Sequence, residues 1–320
     1  MSLVPRLSVR VADVTAVAPD VRRFEFEAED GAALPHFSPG AHVLVDMQDN
    51  GVARRNAYTL TSSPRAPFRY AISVRRDASG RGGSRYLHDK VGRGDRLVLS
   101  HPRNAFPLDL RARKHLLIAG GIGITPFLSM ADQLFHDCRS FELHYASRSR
   151  AHAAYADELP ERYGARVRLY ASDQGERIPL PDLLSRQPLG CHLYVCGPER
   201  MIAWARDAAR EAGWPAQSVH SERFLAPPVG APFPVRLARS GITLSVRPQE
   251  SVLEAIERAG VEVRFLCRGG ACGQCETEVL SCEGRLLHHD HWLSEEDKAS
   301  GRRVMPCVSR FEGRLLTLDL

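Results

Sequence analysis

The chain has 320 residues, enough for two or three domains, and its 43% apolar and 25% charged residues are those of a folded globular protein. The formal charge of +5 is small, and the Lys and Arg residues are scattered without interleaved aromatics, which argues against a nucleic-acid surface. The longest apolar stretch, His115 to Met130, is broken by glycines and Pro126 and falls short of the ~20 residues of a membrane helix.

The N-terminus, Met1-Ser-Leu-Val-Pro-Arg6, carries no apolar signal core, so a cytoplasmic location is expected. Short runs of β-branched or alternating apolar character follow at Leu7–Val14, Val21–Glu27, Ala41–Met47, Ala57–Thr61, Tyr70–Val74 and Arg96–Leu99. Turn residues such as Pro19-Asp20 and Asp49-Asn50-Gly51 separate them. This spacing predicts a closed antiparallel barrel over residues 1–110. Two segments in it have chemical character. Asn56-Ala57-Tyr58-Thr59 places an amide, a phenol and a hydroxyl on one strand. Arg81-Gly82-Gly83-Ser84 lies just before a predicted helix from Arg85, and glycines, a hydroxyl and an arginine at a helix start make an anion site.

From Lys114 strands alternate with helices, which implies a parallel α/β sheet over residues 111–226. Leu116–Ala119 reads as a buried strand, Phe127–Phe135 as a helix, and Phe141–Ala146, Val167–Tyr170 and His192–Val195 as further strands. A helix over Glu199–Ala212 ends at Gly213. Gly120-Gly121-Ile122-Gly123-Ile124-Thr125-Pro126 leaves a strand and opens a helix, where bare backbone N–H groups cradle a pyrophosphate. A tight strand-to-helix turn is the alternative reading. Tyr194-Val195-Cys196-Gly197-Pro198 sets a thiol at a strand's C-terminal edge, where such sheets bind ligands. A core cysteine is the alternative there. Arg148 and Arg150 follow the second strand of this sheet and favour NADPH over NADH.

Residues 227–234 read as a proline-stiffened linker. A strand at Ile242–Val246 and a helix at Ser251–Ala259 then lead into Cys267, Cys272 and Cys275, spaced C-x4-C-x2-C, with Cys307 thirty-one residues later. That is the ligand pattern of a plant-type 2Fe–2S cluster, and residues 235–320 are expected to form a β-grasp ferredoxin domain. Gly269, Gly270 and Gly273 are expected to let the ligand loop wrap closely. A zinc ribbon would need two C-x2-C pairs, and only one is present. Cys138, Cys191 and Cys282 are expected to be buried small residues, and His288-His289-Asp290-His291 a solvated loop.

The ordered set GGIGITP, YVCGP and the C-terminal cysteines resembles the phthalate dioxygenase reductase type of the ferredoxin–NADP reductase superfamily. The resemblance spans nearly the whole chain. It implies a flavin barrel, a nicotinamide domain and a ferredoxin, in that order. It places FMN against Asn56, Ala57, Tyr58 and Thr59, beside Val74 and Arg75, with its phosphate on Arg81, Gly82, Gly83 and Ser84. Asn56 stands where the family carries arginine. No segment for an adenylate half is evident, which favours FMN over FAD. The nicotinamide nucleotide is placed on Gly120, Gly121, Gly123, Ile124 and Thr125, with Arg148, Cys196, Gly197 and Pro198. Glu222 and Phe224 match a segment that approaches the flavin, with an edge strand as the equal alternative.

The implied function is conversion of hydride from NADPH or NADH into single electrons, with Thr59 and Cys196 at the transfer point. No oxygen-activating motif occurs here, and the resemblance implies delivery to a terminal oxygenase on another chain. The Asn-Ala-Tyr segment most resembles reductases of amine and quaternary-ammonium monooxygenases. Aromatic-ring dioxygenase or O-demethylase reductases are the alternative. An iron–sulfur redox sensor without turnover and a structural zinc protein are the rival classes.

Overall fold

In this computed structural model the residues described are 5–49, 51–66, 68–224 and 227–320. They form two compact units. One spans Arg6–Ala78 and Gly82–Arg223. The other holds Phe224–Leu320 together with Ser79–Arg81.

The first unit opens with a six-stranded antiparallel sheet. Its strands are β1 (Arg6–Ala18), β2 (Val21–Ala28), β3 (His42–Asp49), β4 (Val52–Thr59), β5 (Tyr70–Arg75) and β6 (Arg96–Ser100), in the order β4-β3-β6-β1-β2-β5. An antiparallel bridge between Leu60 and Ile72 joins the two ends, so the sheet closes as a barrel. Alternation sends Val9, Val11, Phe24, Phe26, Val43, Val45 and Ile72 into its interior. Helix α1 (Gly83–Lys90) follows β5, starting two residues before the predicted position, and packs Leu87 into the same core.

The α/β sheet lies in the same unit. It comprises β7 (Lys114–Gly120), β8 (Phe141–Ser147), β9 (Val167–Ala171), β10 (Cys191–Cys196) and β11 (Val219–Glu222), all parallel, in the order β11-β10-β7-β8-β9. Leu116, Leu117, Ile118 and Ala119 of central β7 are all fully buried, as a strand covered on both faces requires. Helices α2 (Thr125–His136), α3 (Glu158–Tyr163), α4 (Leu180–Ser185) and α5 (Glu199–Glu211) supply that cover. Barrel and sheet are joined by hydrogen bonds: Gly40 N–H donates to Ser129 at 3.1 Å and Ser63 to Asp132 at 2.6 Å.

The second unit is a mixed sheet of β12 (Phe233–Leu237), β13 (Ile242–Val246), β14 (Thr277–Leu287), β15 (Arg303–Val304) and β16 (Arg310–Leu318), ordered β13-β12-β16-β14-β15. β12 runs parallel to β16 and antiparallel to β13. Helix α6 (Val252–Arg258) starts in a capping box: the Ser251 hydroxyl accepts from the Glu254 N–H, and the Glu254 carboxylate accepts from the Ser251 N–H. It packs Val252, Ala255 and Ile256 against Val235, Leu316 and Leu318. A short helix α7 (Glu295–Ser300) precedes β15. Phe233 and Pro234, expected in the linker, already belong to β12.

Three expectations fail. Cys138 is exposed, because it follows the end of α2 in a left-handed conformation (φ 54°) at the surface, and Cys282 is only half-buried on β14. The His288–His291 segment is not a solvated loop throughout: Asp290 is buried, and the His288 side chain is 10% exposed, its Nδ1 3.6 Å from the Asp290 carboxylate. No helix among the described residues is long and apolar enough to cross a membrane.

Candidate active site and iron–sulfur centre

Period two along β4 puts Arg54, Asn56 and Tyr58 on one face, and that face meets the start of α1. A Cβ on Gly83 would lie 2.2 Å from Asn56 Nδ2, and one on Gly82 would lie 3.4 Å from the Arg54 guanidinium. Gly82 is left-handed (φ 101°), as glycine permits. The result is a cradle of open backbone facing a guanidinium and an amide at a helix N-terminus. Those donors fit a phosphate. Asn56 Nδ2 also donates to the Tyr58 hydroxyl at 3.2 Å, and burial pushes that phenol up to about 12. Thr59 is buried at the strand's end, and Val74 and Arg75 close β5. Ser84 accepts from the Asp77 N–H at 3.1 Å.

Arg54 was missed in the sequence, where Arg54 and Arg55 look equivalent. The structure separates them: Arg55 lies on the opposite face and pairs with Asp46. Counting in twos back from Tyr58 distinguishes them. Arg81, predicted with the glycines, belongs to the other unit and donates from both terminal nitrogens to Glu254, at 2.6 and 3.1 Å.

The two nucleotide motifs come together. β7 and β10 are adjacent and parallel, with Ala119 opposite Cys196, so both motifs leave the sheet at one edge. The chain turns from β7 one way to β8 and the other way to β10, which makes this a topological switch point. A Cβ on Gly120 would strike Pro198 at 2.8 Å, and one on Gly197 would lie 3.1 Å from Gly120 Cα. Gly121 is left-handed (φ 54°) and begins a 3-10 turn, Gly121–Ile124, that feeds α2. Thr125, buried at the first position of α2, donates to Ile122 O at 3.0 Å. Cys196 is fully buried; burial, then the charge of Glu222 opposite it in β11, pushes its thiol well above the ordinary range. Glu222 lies on the edge strand, as one of its two readings expected. Arg148 is exposed just beyond β8, and Arg150 lies 4.0 Å from Glu176.

In the second unit Cys267, Cys272 and Cys275 occupy the loop between α6 and β14, and Cys307 lies between β15 and β16. All eight cysteines are free thiols. The ligands act in two pairs. A hydrogen bond from Cys267 holds Cys272 down to about 6, and one from Cys307 lowers Cys275; Cys267 and Cys307 are raised in exchange. Backbone N–H groups of Cys267 and Gly269 donate to Cys272 and Cys267 sulfurs, at 3.4 and 3.3 Å. Among the described residues no three of these side chains close round a single ion, but two thiol pairs, with N–H donors on the Cys267 and Cys272 sulfurs, fit a 2Fe–2S cluster, whose two irons each take two thiolates. The loop is anchored by a pairing that sequence reading missed. Arg268 (φ 53°) is buried, donates to both oxygens of Glu257 on α6, and stacks over Phe265 at 4.8 Å. Gly270 and Gly273 are left-handed as expected.

Comparison with known proteins agrees with this layout. The oxidoreductase FAD-binding domain family matches residues 8–107, and the 2Fe-2S iron-sulfur cluster binding domain family matches residues 235–312. The N-terminal domain of the dimethylamine monooxygenase subunit DmmA-like family matches residues 98–219. The heme-dependent oxidative N-demethylase beta subunit of Ectopseudomonas mendocina is 48% identical over 98% of this chain and 99% of its own length. The chain belongs to the oxygenase-reductase family. The carnitine monooxygenase reductase subunit of Escherichia coli is 42% identical over the whole of both chains. The solved structure of phthalate dioxygenase reductase superposes with a TM-score of 0.88, at 37% identity and 98% coverage of each chain. That protein is a modular structure for electron transfer from pyridine nucleotides to [2Fe-2S]. The curated relatives are named as reductases or subunits of oxygenase systems, which implies a separate oxygenase component.

Proposed function

We propose that this chain is the NADPH-dependent FMN reductase of an N-demethylating monooxygenase and acts in the cytoplasm. One observation carries the choice of partner. Identity is 41–48% with the N-demethylase and carnitine monooxygenase subunits but 34–38% with the phthalate and vanillate reductases. The match of residues 98–219 to a dimethylamine monooxygenase subunit family points the same way.

A bound flavin supplies exchange between hydride and single-electron chemistry, and a 2Fe–2S cluster carries single electrons. This chain's residues position both. Arg54, Asn56 and the α1 start, Gly82–Ser84, hold the FMN phosphate, and the Tyr58 face and Thr59 hydroxyl line the ring site. The N–H groups of Gly121–Thr125 bind the nucleotide pyrophosphate at the N-terminus of α2. Arg148 takes the 2′-phosphate of NADPH, with Arg150 beside it. The neutral Cys196 thiol and the Gly197-Pro198 backbone form the floor for the nicotinamide. No side chain moves a proton. Cys267, Cys272, Cys275 and Cys307 ligate the cluster.

The test is cross-feeding. The purified chain replaces the beta subunit of the Ectopseudomonas mendocina N-demethylase, and separately the reductase of Burkholderia cepacia phthalate dioxygenase. NADPH-driven formaldehyde release at least tenfold faster than phthalate turnover is expected. Equal support of both, or preference for phthalate, overturns the assignment of partner.

A further inference from the structure

Trp292 sits on the ligand loop with its outer face in water. It is 51% exposed, yet nothing about it is loose. Its ring covers Gly273, between ligands Cys272 and Cys275: a Cβ on that glycine would lie 2.3–2.7 Å from three of the ring carbons. Its Nε1 donates to Glu276 at 2.9 Å, and Arg303 holds the other oxygen of that carboxylate at 2.6 Å. The backbone on either side is fixed. Asp290 is buried and accepts from the Leu293 N–H at 2.9 Å. Leu293 is buried with Cys275, Met305, Cys307 and Val308.

A large ring costs free energy when half its surface stays in water, and this one gains no internal packing on that side. Rigid, exposed tryptophans are what interface centres are made of, because little entropy remains to be lost on docking. The chain directly beyond the ring begins with acids, while exposed Arg302 and Arg303 follow α7. Glu295 and Glu296, both exposed, and Asp297 form the first turn of α7, directly after Trp292. Lys298 answers Glu295, and Arg303 answers Glu276.

We propose that Trp292 and the acidic first turn of α7 form the docking surface for the protein that accepts electrons from the cluster. That acceptor is the oxygenase component, presenting a basic rim around its redox centre. The identity of the acceptor rests on the function proposed above; the location of the surface does not. Docking there brings the acceptor against the loop that carries three of the four cluster ligands. Electrostatic complementarity then sets encounter, and burial of the ring sets affinity.

The experiment uses holo wild type, Trp292→Ala and Trp292→Phe, with NADPH and three acceptors. Ferricyanide is small and needs no docking. Cytochrome c is a basic protein, and the E. mendocina N-demethylase lacking its beta subunit is the oxygenase. Trp292→Ala is expected to raise KM for cytochrome c at least tenfold and to leave ferricyanide turnover, the cluster's EPR spectrum and its midpoint potential unchanged. Trp292→Phe keeps a ring on Gly273 and is expected to recover most of the loss. The proposal is overturned if KM for cytochrome c is unchanged in Trp292→Ala. It is also overturned if both variants shorten the cluster's lifetime in air without changing KM, which would make the ring a shield. If wild type fails with the demethylase, the partner assignment above falls and the cytochrome c result still decides Trp292.

Discussion

The Cα of Gly123 stands so close to the carbonyl of Cys196 that a methyl group there would lie 2.3 Å from the oxygen. The nucleotide turn after β7 and the thiol-bearing end of β10 are thus packed backbone to backbone. Gly123→Ala must push them apart, at a cost of about 1–3 kcal/mol. We expect KM for NADPH to rise at least tenfold while flavin and cluster spectra stay normal. Stopped-flow NADPH titration of the holoenzyme checks this, and an unchanged KM would show that the turn does not hold the nucleotide.

Arg54 and Arg55 are neighbours with opposite fates. Loss of a charge-assisted hydrogen bond costs about 1.5–3 kcal/mol, so Arg54→Met should weaken FMN binding roughly 10- to 100-fold. Arg55→Met breaks the pair with Asp46 on the other face and should leave FMN affinity alone. Flavin fluorescence titration of the two apo-variants compares them; equal losses would refute the assignment of Arg54.

Arg148 is exposed just beyond β8, and in the function proposed above it meets the 2′-phosphate of NADPH. Arg148→Asp replaces attraction for a 2′-phosphate with repulsion. The ratio of kcat/KM for NADPH to that for NADH should fall about 10- to 100-fold, mostly through KM for NADPH. A ratio that does not move would place 2′-recognition elsewhere.

Burial is the largest single influence on Glu254 and raises its carboxyl, but the hydrogen bonds and charge of Arg81, the charge of Arg268 and the Ser251 N–H together outweigh it and hold the group below its ordinary 4.5. A carboxyl depressed on folding stabilises fully above its unfolded pKa, and the contribution disappears as pH falls through the folded value. Urea stability followed by fluorescence should therefore drop on acidification below about pH 5 in wild type, and less steeply in Glu254→Gln. At pH 7 Arg81→Met strands a buried carboxylate and should cost about 3 kcal/mol. A wild-type pH slope retained in Glu254→Gln would mean other carboxylates govern the transition.

Cys272→Ser removes a ligand that its neighbours already hold toward thiolate. The cluster's visible bands should vanish. Ferricyanide reduction should stay within about twofold of wild type, while cytochrome c reduction falls at least tenfold, because hydride entry and electron exit use different cofactors. Retention of cytochrome c reduction would show that electrons leave from the flavin.

The features legible in the sequence were those whose chemistry is local. A cluster fixes its ligand spacing, so the spacing of Cys267, Cys272, Cys275 and Cys307 pointed to the 2Fe-2S domain that the family match over residues 235–312 bears out. Strand–glycine–helix punctuation located Gly120–Thr125, and alternation located the barrel strands to within a few residues. What escaped depended on partners distant in sequence. β14 and β16 lack a clean alternation, since Leu280 is exposed, and they pair through two register shifts. Nothing local to Arg268 signals its pairing with Glu257, eleven residues back on α6. Asn56 looked like a defect in the flavin motif until β4 and α1 were seen face to face, with Arg54 in reach of Gly82. Cys138 was misread because composition favours burial, and only the left-handed end of α2 turns it outward.

The fourth sulfur ligand is separated from the other three by all of β14, α7 and β15. A cluster bound to all four is therefore a cross-link that closes a long loop and ties the β15–β16 connection to the loop after α6. Closing such a loop removes entropy from the open chain. Iron supply thus governs more than electron flow. A chain that has lost its iron keeps β16 in place by its strand ladders and its packing against α6, without the cross-link, and opens more often there. Proteases that grip frayed termini would then clear iron-starved copies ahead of loaded ones.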